Sequence, residues 1–218
     1  MVMGISYSPR IVTDGLVLCL DAANPRSYPG TGTTWTDRST SGNNGTLTNG
    51  PTFDSGDGGS IVLDGSDDLV SVTITKSADC TFSTWAARSN TSADMLFNAG
   101  ANNSGPDLFF YQSKISWNTW NGANNPFADI PSNASDGNFH QYVLVNDSSS
   151  TAKLYYDGEL LGTATYRDAS ATTLLNIGQS GFGQYLWQGN IANFMLHNKL
   201  LSEDEVRQNY LATKGRYK

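Results

Sequence analysis

Apolar residues in this chain come in short runs that alternate with polar ones, and Gly, Asn, Asp and Ser punctuate the intervals. Gly15–Leu20 is the first such run, followed by a long polar stretch containing Pro25, Pro29, Gly30, Gly32 and Gly42. Ser60–Leu63 and Leu69–Ile74 flank an acidic turn. Cys80–Ala87, "CTFSTWAA", sets Phe82 on one face of a strand and Trp85 on the other. Met95–Asn98, Leu108–Gln112 and Lys114–Trp117 follow, and then a Gly-, Asn- and Pro-rich loop runs to about Asn138. Phe139–Asn146 and Ala152–Tyr156 come next. Asp157-Gly158 turns the chain into Glu159–Thr165 and is the strongest hairpin signal present. Thr173–Ile177 and Asn190–Leu196 complete the set. Many short strands separated by turn chemistry predict an all-β, two-sheet antiparallel sandwich.

One helix is expected, over about 203–213. Ser202-Glu203-Asp204-Glu205 matches a capping box, with Ser202 as N-cap and the acids where the helix dipole favours them. Val206, Tyr210 and Leu211 form its apolar stripe, and Gly215 ends it. A short terminal helix of this kind caps a sandwich. Residues 1–13 read as an arm able to dock on a neighbouring subunit, and residues 14–218 as one domain without linker or internal repeat.

Composition narrows the function. Of 218 residues 38 % are hydrophobic, enough for one substantial core, whereas only 15 % are charged, so Asn, Ser, Thr and Gly must cover the surface. The formal charge of −7 opposes a nucleic-acid groove. Short basic runs give no membrane patch, and no apolar run is long enough to insert into a bilayer. The beginning of the chain lacks the charged and apolar regions of a signal peptide. Cys19 and Cys80 each lie in or beside an apolar run; two buried free thiols are the simpler reading, with a disulfide left open. No Cys-x-x-Cys or His cluster points to zinc.

The order of motifs resembles the laminin G-like domains of the concanavalin A-like jelly-roll superfamily. "SIVLDGSDDLVSV" (60–72), "CTFSTWA" (80–86), "NFHQYVLVND" (138–147), "KLYYDGELLG" (153–162), "LNIGQ" (175–179) and "WQGNIANFMLHNKLLSEDEV" (187–206) carry the likeness, which runs from about Gly15 to Tyr210. Leu69 and Phe139 stand where the family usually has an aromatic and a Trp; both keep the position apolar. The opening, residues 15–53, is similar to laminin G-like domains in virion proteins of tailed bacteriophages. The resemblance implies a jelly roll borne on a virion and made without a secretion signal. Its expected partners are other virion proteins or host surface glycans, in a homo-oligomer.

Catalysis finds little support in the residues. A glycosidase needs two carboxyls across the scissile bond. The glutamates here are Glu159 in a hairpin and Glu203 and Glu205 at a helix start, and no strand carries paired acids. His140 and His197 stand at strand ends without a nucleophile motif. The segment "IVLDGSDDLVSV" (61–72) packs Asp64, Asp67 and Asp68 together, but a helix-loop-helix calcium site would want Gly and Glu where Leu69 and Thr75 stand. A tight turn at Asp64-Gly65 is the simpler reading, while a rim calcium held by these aspartates, with Asp57, is what some relatives imply. No other cofactor is expected. Binding is the better candidate: Tyr111, Trp117, Trp120, Asn121 and Phe127, with Tyr185 and Trp187 in a second stretch, mix aromatic faces with amides and suit a glycan or a protein partner. For Trp117 and Trp187 the competing assignment is the core. The expected protein is therefore a non-enzymatic virion structural or adhesion component, with a free lectin-type module as the alternative.

Overall fold

The computed structural model describes residues 9–100, 105–111, 113–118, 124–165 and 174–217, with backbone alone at 117, 118, 124 and 125. Two antiparallel sheets face each other. In the first, sheet A, the strand order is β14 (Glu159–Ala164), β13 (Ala152–Tyr156), β12 (Phe139–Asn146), β7 (Cys80–Arg88), β16 (Gln188–His197), β5 (Ser60–Asp64) and β4 (Thr52–Asp54). Strand β16 is long enough to pair twice along one edge: Gln188–Ile191 with β5, and Asn193–His197 with β1 (Leu16–Asp21). Sheet B runs β11 (Asn124–Asp129), β10 (Lys114–Asn118), β9 (Asp107–Tyr111), β8 (Asp94–Asn98), β15 (Leu174–Ile177), β6 (Leu69–Thr73), β3 (Gly45–Thr48) and β2 (Thr34–Trp35). This is the jelly-roll sandwich the alternation predicts. The expected two free cysteines are found, Cys80 buried and Cys19 half-buried.

The core lies between the sheets and follows the period of two. In β12, Tyr142 and Leu144 point into it; in β7, Cys80, Phe82 and Ala86 do. The alternate residues Val143, Val145 and Trp85 leave the sandwich on the other side, yet they are buried too. The reason is the C-terminal helix α1 (Glu203–Thr213), which lies over the outer face of sheet A. Its capping box closes as expected: Ser202 Oγ accepts from the Glu205 amide and Glu205 Oε2 from the Ser202 amide. Val206 packs with Val143, Val145 and Tyr155, while Tyr210 stacks on Trp85 with ring centroids 5.6 Å apart. Trp85 Nε1 donates to Thr213 Oγ1 at 2.8 Å. Residues from the N-terminal arm lie here as well: the Val12 amide donates to Asn209 Oδ1 at 2.7 Å, and Gln208 Nε2 to the Arg10 carbonyl.

The structure departs from the sequence expectations in four places. The polar stretch after β1 is not one loop but holds β2, β3 and β4, each of two to four residues and too short to show a period. Strand β11 likewise lies inside the expected loop before Asn138. Leu211 is exposed, because five helical steps from Val206 turn it about 140° off the buried stripe; Asn209 and Thr213 are the buried residues there instead. The α-helix ends at Thr213, and Gly215 lies in a 3-10 turn beyond it.

Candidate functional site

The helix roofs one broad face of the sandwich, and the outer face of sheet B remains. Its pairing sets one polar residue from each of five neighbouring strands side by side. Thr46 in β3 faces Ser71 in β6, which faces Asn176 in β15, then Asn98 in β8, then Asp107 in β9. Ser71 sits between the core residues Val70 and Val72, Asn176 between Leu175 and Ile177, and Asn98 between Phe97 and Ala99. Alternation turns these three outward, and pairing carries Thr46 and Asp107 to the same face. The row is graded: Thr46 is exposed, Ser71 half-buried, and Asn176, Asn98 and Asp107 are buried. The Asn98 amide is fully buried and neither its nitrogen nor its oxygen has a hydrogen-bond partner.

Aromatic rings stand at the buried end of this row. Phe109 and Tyr111, two residues apart on β9, share the outer face and stack at 5.4 Å and 13°. Tyr185 approaches Phe109 edge-on at 4.8 Å. It is 39 % exposed and has φ 53°, the left-handed region that a bulky side chain enters only under constraint. The constraint is visible: the Met95 amide donates to the Tyr185 carbonyl at 2.8 Å. Of the residues singled out by sequence, Tyr111 and Tyr185 are thus brought together. Trp187 and Phe127 are not available to a ligand. Trp187 has no exposed surface and lies against Phe110 under the Arg88 guanidinium, and Phe127 belongs to the same core. Trp187 precedes β16 and Phe127 is the extra residue of a β-bulge opposite Ile115 and Ser116, so packing rather than alternation sets both inside. Trp120 and Asn121 lie outside the described residues, and for Trp117 only its place in β10 is described. The polar row was missed by the sequence reading, although its signal was present: single polar residues inside apolar runs, as in Phe97-Asn98-Ala99 and Leu175-Asn176-Ile177.

The acidic stretch forms the expected turn. Gly65 has φ 77°, Asp64 Oδ1 accepts from the Ser66 amide at 2.7 Å, and Asp68 Oδ2 accepts from the Asp64 amide at 3.0 Å. The Asp67 carbonyl takes a bond from Asn49 Nδ2. The three carboxylates also offer oxygens within 4.8 Å of one another, a donor set a hard cation could use. Loop amides hold the Asp64 carboxyl below its ordinary range, whereas burial, with the charges of Asp64 and Asp67, raises Asp68.

His140, at the start of β12, packs and hydrogen-bonds locally. Its Nδ1 lies 2.7 Å from Asp157 and its Nε2 3.5 Å from Asp136, while the ring stacks on Tyr156 at 5.0 Å. Burial disfavours the charged ring, but the two carboxylates outweigh it and raise its pKa. His197 does the opposite: burial lowers it, against its contact with the Val12 carbonyl. The His140 clamp borders a cleft of about 380 Å³ beneath α1, lined by Trp85, Phe139, Tyr210 and Tyr217.

Among the described residues, no helix is long and apolar enough to cross a membrane. No curated protein matches the chain. Solved structures share the fold at low identity. The botulinum neurotoxin serotype D binding domain aligns at TM-score 0.70 with 16 % identity, over 91 % of this chain and 51 % of its own. The binding domain of Paraclostridial Mosquitocidal Protein 1 aligns at 0.69 with 15 % identity, over 90 % and 52 %. The serotype D ligand-binding domain in complex with N-acetylneuraminic acid aligns at 0.68 with 16 % identity, over 91 % and 51 %. The chain therefore spans about half the length of these structures. The Laminin_G_3 family model, described as the concanavalin A-like lectin/glucanases superfamily, matches residues 55–207, well over half of the chain, and to that family this protein belongs.

Proposed function

We propose that the protein is a non-catalytic glycan-recognition module that binds on the outer face of sheet B. The observation that carries this is Tyr185: an exposed ring locked in the left-handed region and set against Phe109 and Tyr111, on a face where Thr46 and Ser71 present accessible hydroxyls. Rigid aromatic faces stack on the C–H faces of sugars, and amides and hydroxyls meet their hydroxyl groups. Strain of this kind collects at binding sites. A sugar-bound structure among the fold neighbours makes glycans the natural first probes. Absence of catalysis is inferred from the same face: its polar row holds one carboxylate, Asp107, and the exposed Asp129 at the sheet edge is paired with Lys114. Hydrolysis would need a second acid about 5–10 Å across the bond.

The biological setting we propose is a tailed-phage virion, as a homo-oligomeric decoration, tail or fibre component. It is supported by the resemblance of residues 15–53 to the opening of such virion domains. The test of binding is a glycan array with the folded protein, followed by Tyr185→Ala, which should weaken any hit at least tenfold with an unchanged melting curve. Binding untouched by that variant refutes the site. Mass spectrometry and electron microscopy of purified particles test the setting, which fails if intact virions lack the protein.

A further inference from the structure

Sheet B carries a second feature, on the side of its outer face away from Tyr185: an open groove of about 480 Å³. Two rungs of paired residues form its floor, Thr46 opposite Ser71 and Thr73 opposite Leu174. Gly42, Asn43 and Asn44 form its wall. That wall is built by Asp37, which is buried at its base. Asp37 Oδ1 accepts from the Cys19 and Ser39 amides at 2.8 Å, and Oδ2 accepts from Ser39 Oγ at 2.6 Å and the Asn43 amide at 2.9 Å. The Asp37 amide in turn donates to Asn44 Oδ1 at 2.9 Å, and Asn43 Nδ2 donates to the Val17 carbonyl. The groove is thus held in shape before any ligand arrives, which lowers the entropy cost of binding.

We infer that this groove is a subsite for a neutral sugar residue, a reading that rests on the glycan-binding function proposed above. Every described residue lining the groove is uncharged. Thr46, Ser71 and Thr73 each offer a hydroxyl that can donate and accept. Asn44, whose oxygen is taken by Asp37, keeps its Nδ2 group for a ligand. Leu174 is 37 % exposed and supplies the apolar patch on which the C–H face of a sugar ring packs. Carboxylated or sulfated sugars are recognised through charge-assisted bonds from Arg or Lys, and the described residues of the groove lining include neither. The net charge of −7 adds a long-range penalty for any anion. The volume falls within the roughly 300–1,000 Å³ common for ligand clefts. The groove therefore sets specificity, while the aromatic end of the face supplies stacking for further residues of the same glycan.

The experiment is a glycan array that includes neutral glycans ending in hexose or N-acetylhexosamine, and acidic ones ending in N-acetylneuraminic acid, uronic acid or sulfated sugar. It is run on the wild-type chain and on Thr46→Trp, Thr73→Tyr and Tyr185→Ala, each checked by circular-dichroism melting. Thr46 and Thr73 are exposed, so the first two variants fill the groove without touching the core. The expected result is binding of neutral glycans only, weakened at least tenfold by both groove variants. Binding of acidic glycans only overturns the inference and leaves the glycan reading standing. Neutral binding that survives both groove variants but is lost in Tyr185→Ala also overturns the groove alone. A folded protein that binds no glycan removes both.

Discussion

Replacing Arg88 with methionine, and leaving Asp94 in place, should cost the fold about 3–5 kcal/mol at pH 8. The two side chains are almost fully buried, with Nη1 and Oδ1 3.4 Å apart. The guanidinium sits 4.5 Å from the Phe110 centroid and 5.5 Å from that of Trp187, and Nη2 donates to Asn90 Oδ1 and the Ser92 carbonyl. Burial raises the Asp94 carboxyl to about 7 against the pull of Arg88, so its charge is barely tolerated even with the partner present. Without Arg88 the carboxylate must either stay charged in an apolar core or take up a proton. At pH 8 the proton is scarce and the full cost appears. At pH 5.5 protonation relieves part of it, so the loss is smaller. For a chain of this length 1 kcal/mol moves the melting temperature by about 2–4 °C, so the expected fall at pH 8 is about 6–20 °C. The double variant Arg88→Met/Asp94→Leu should lie within about 1 kcal/mol of the wild type or above it, since replacing a buried ion pair by apolar groups is often neutral. Urea and thermal melts of the four proteins of this cycle at both pH values provide the assay. A double variant as unstable as the single one would refute the reasoning: the arginine would then act through ring packing or by anchoring Asn90 and Ser92, and charge compensation would be irrelevant.

Other outcomes follow from the same geometry. His140 has a raised pKa, so its clamp stabilises fully below about 6.5 and loses that contribution as pH rises through the higher folded value. His140→Gln should therefore cost more stability at pH 6 than at pH 8.5 in urea melts, and equal losses would dismiss the clamp. Ser202→Ala removes the acceptor for the Glu205 amide and should cost about 1 kcal/mol, seen as faster hydrogen exchange in α1. Gly158→Ala should cost about 1–3 kcal/mol, because φ is 83° and the added carbon would lie 2.9 Å from the Tyr210 ring. Trp187→Ala should cost about 3–5 kcal/mol as a core truncation, and its effect on glycan binding should track unfolding alone. Raising calcium from chelated to millimolar levels tests the Asp64, Asp67 and Asp68 group; as a hydrogen-bonded turn it leaves the melting temperature unmoved, and a clear rise would assign it a cation.

Much of the fold could be read from local pattern because the long strands keep their period. Val143 and Val145 alternate with Tyr142 and Leu144 whatever lies beyond them, and Asp157-Gly158 and the Ser202–Glu205 box are chemistry of a few neighbouring residues. Strands β2, β3 and β4 were illegible for the opposite reason: two to four residues cannot display a period, and their pairing is decided by partners far away in sequence. The site was legible only in part. An aromatic residue announces a contact surface or a core with equal force, and Tyr185 and Trp187, two positions apart, ended on opposite sides of that choice. The polar row could not be assembled from one dimension, since Thr46, Ser71, Asn176, Asn98 and Asp107 meet only through strand order. The Asp37 loop was hidden likewise, because nothing in Asp37-Arg38-Ser39 says that one carboxylate will satisfy four donors.

Residues 10–12 and residue 217 both lie on the helix-covered side of the sandwich, Val12 against Val206 and Tyr217 against Trp85. Entry and exit on one side give the module a built-in direction. Whatever it is tethered to through either end, a surface, a scaffold or a fused reporter, the opposite broad face is left pointing outward. An immobilised sample coupled through a terminal tag should accordingly keep its full capacity for soluble ligands, whereas coupling through Lys114 beside that face should reduce it.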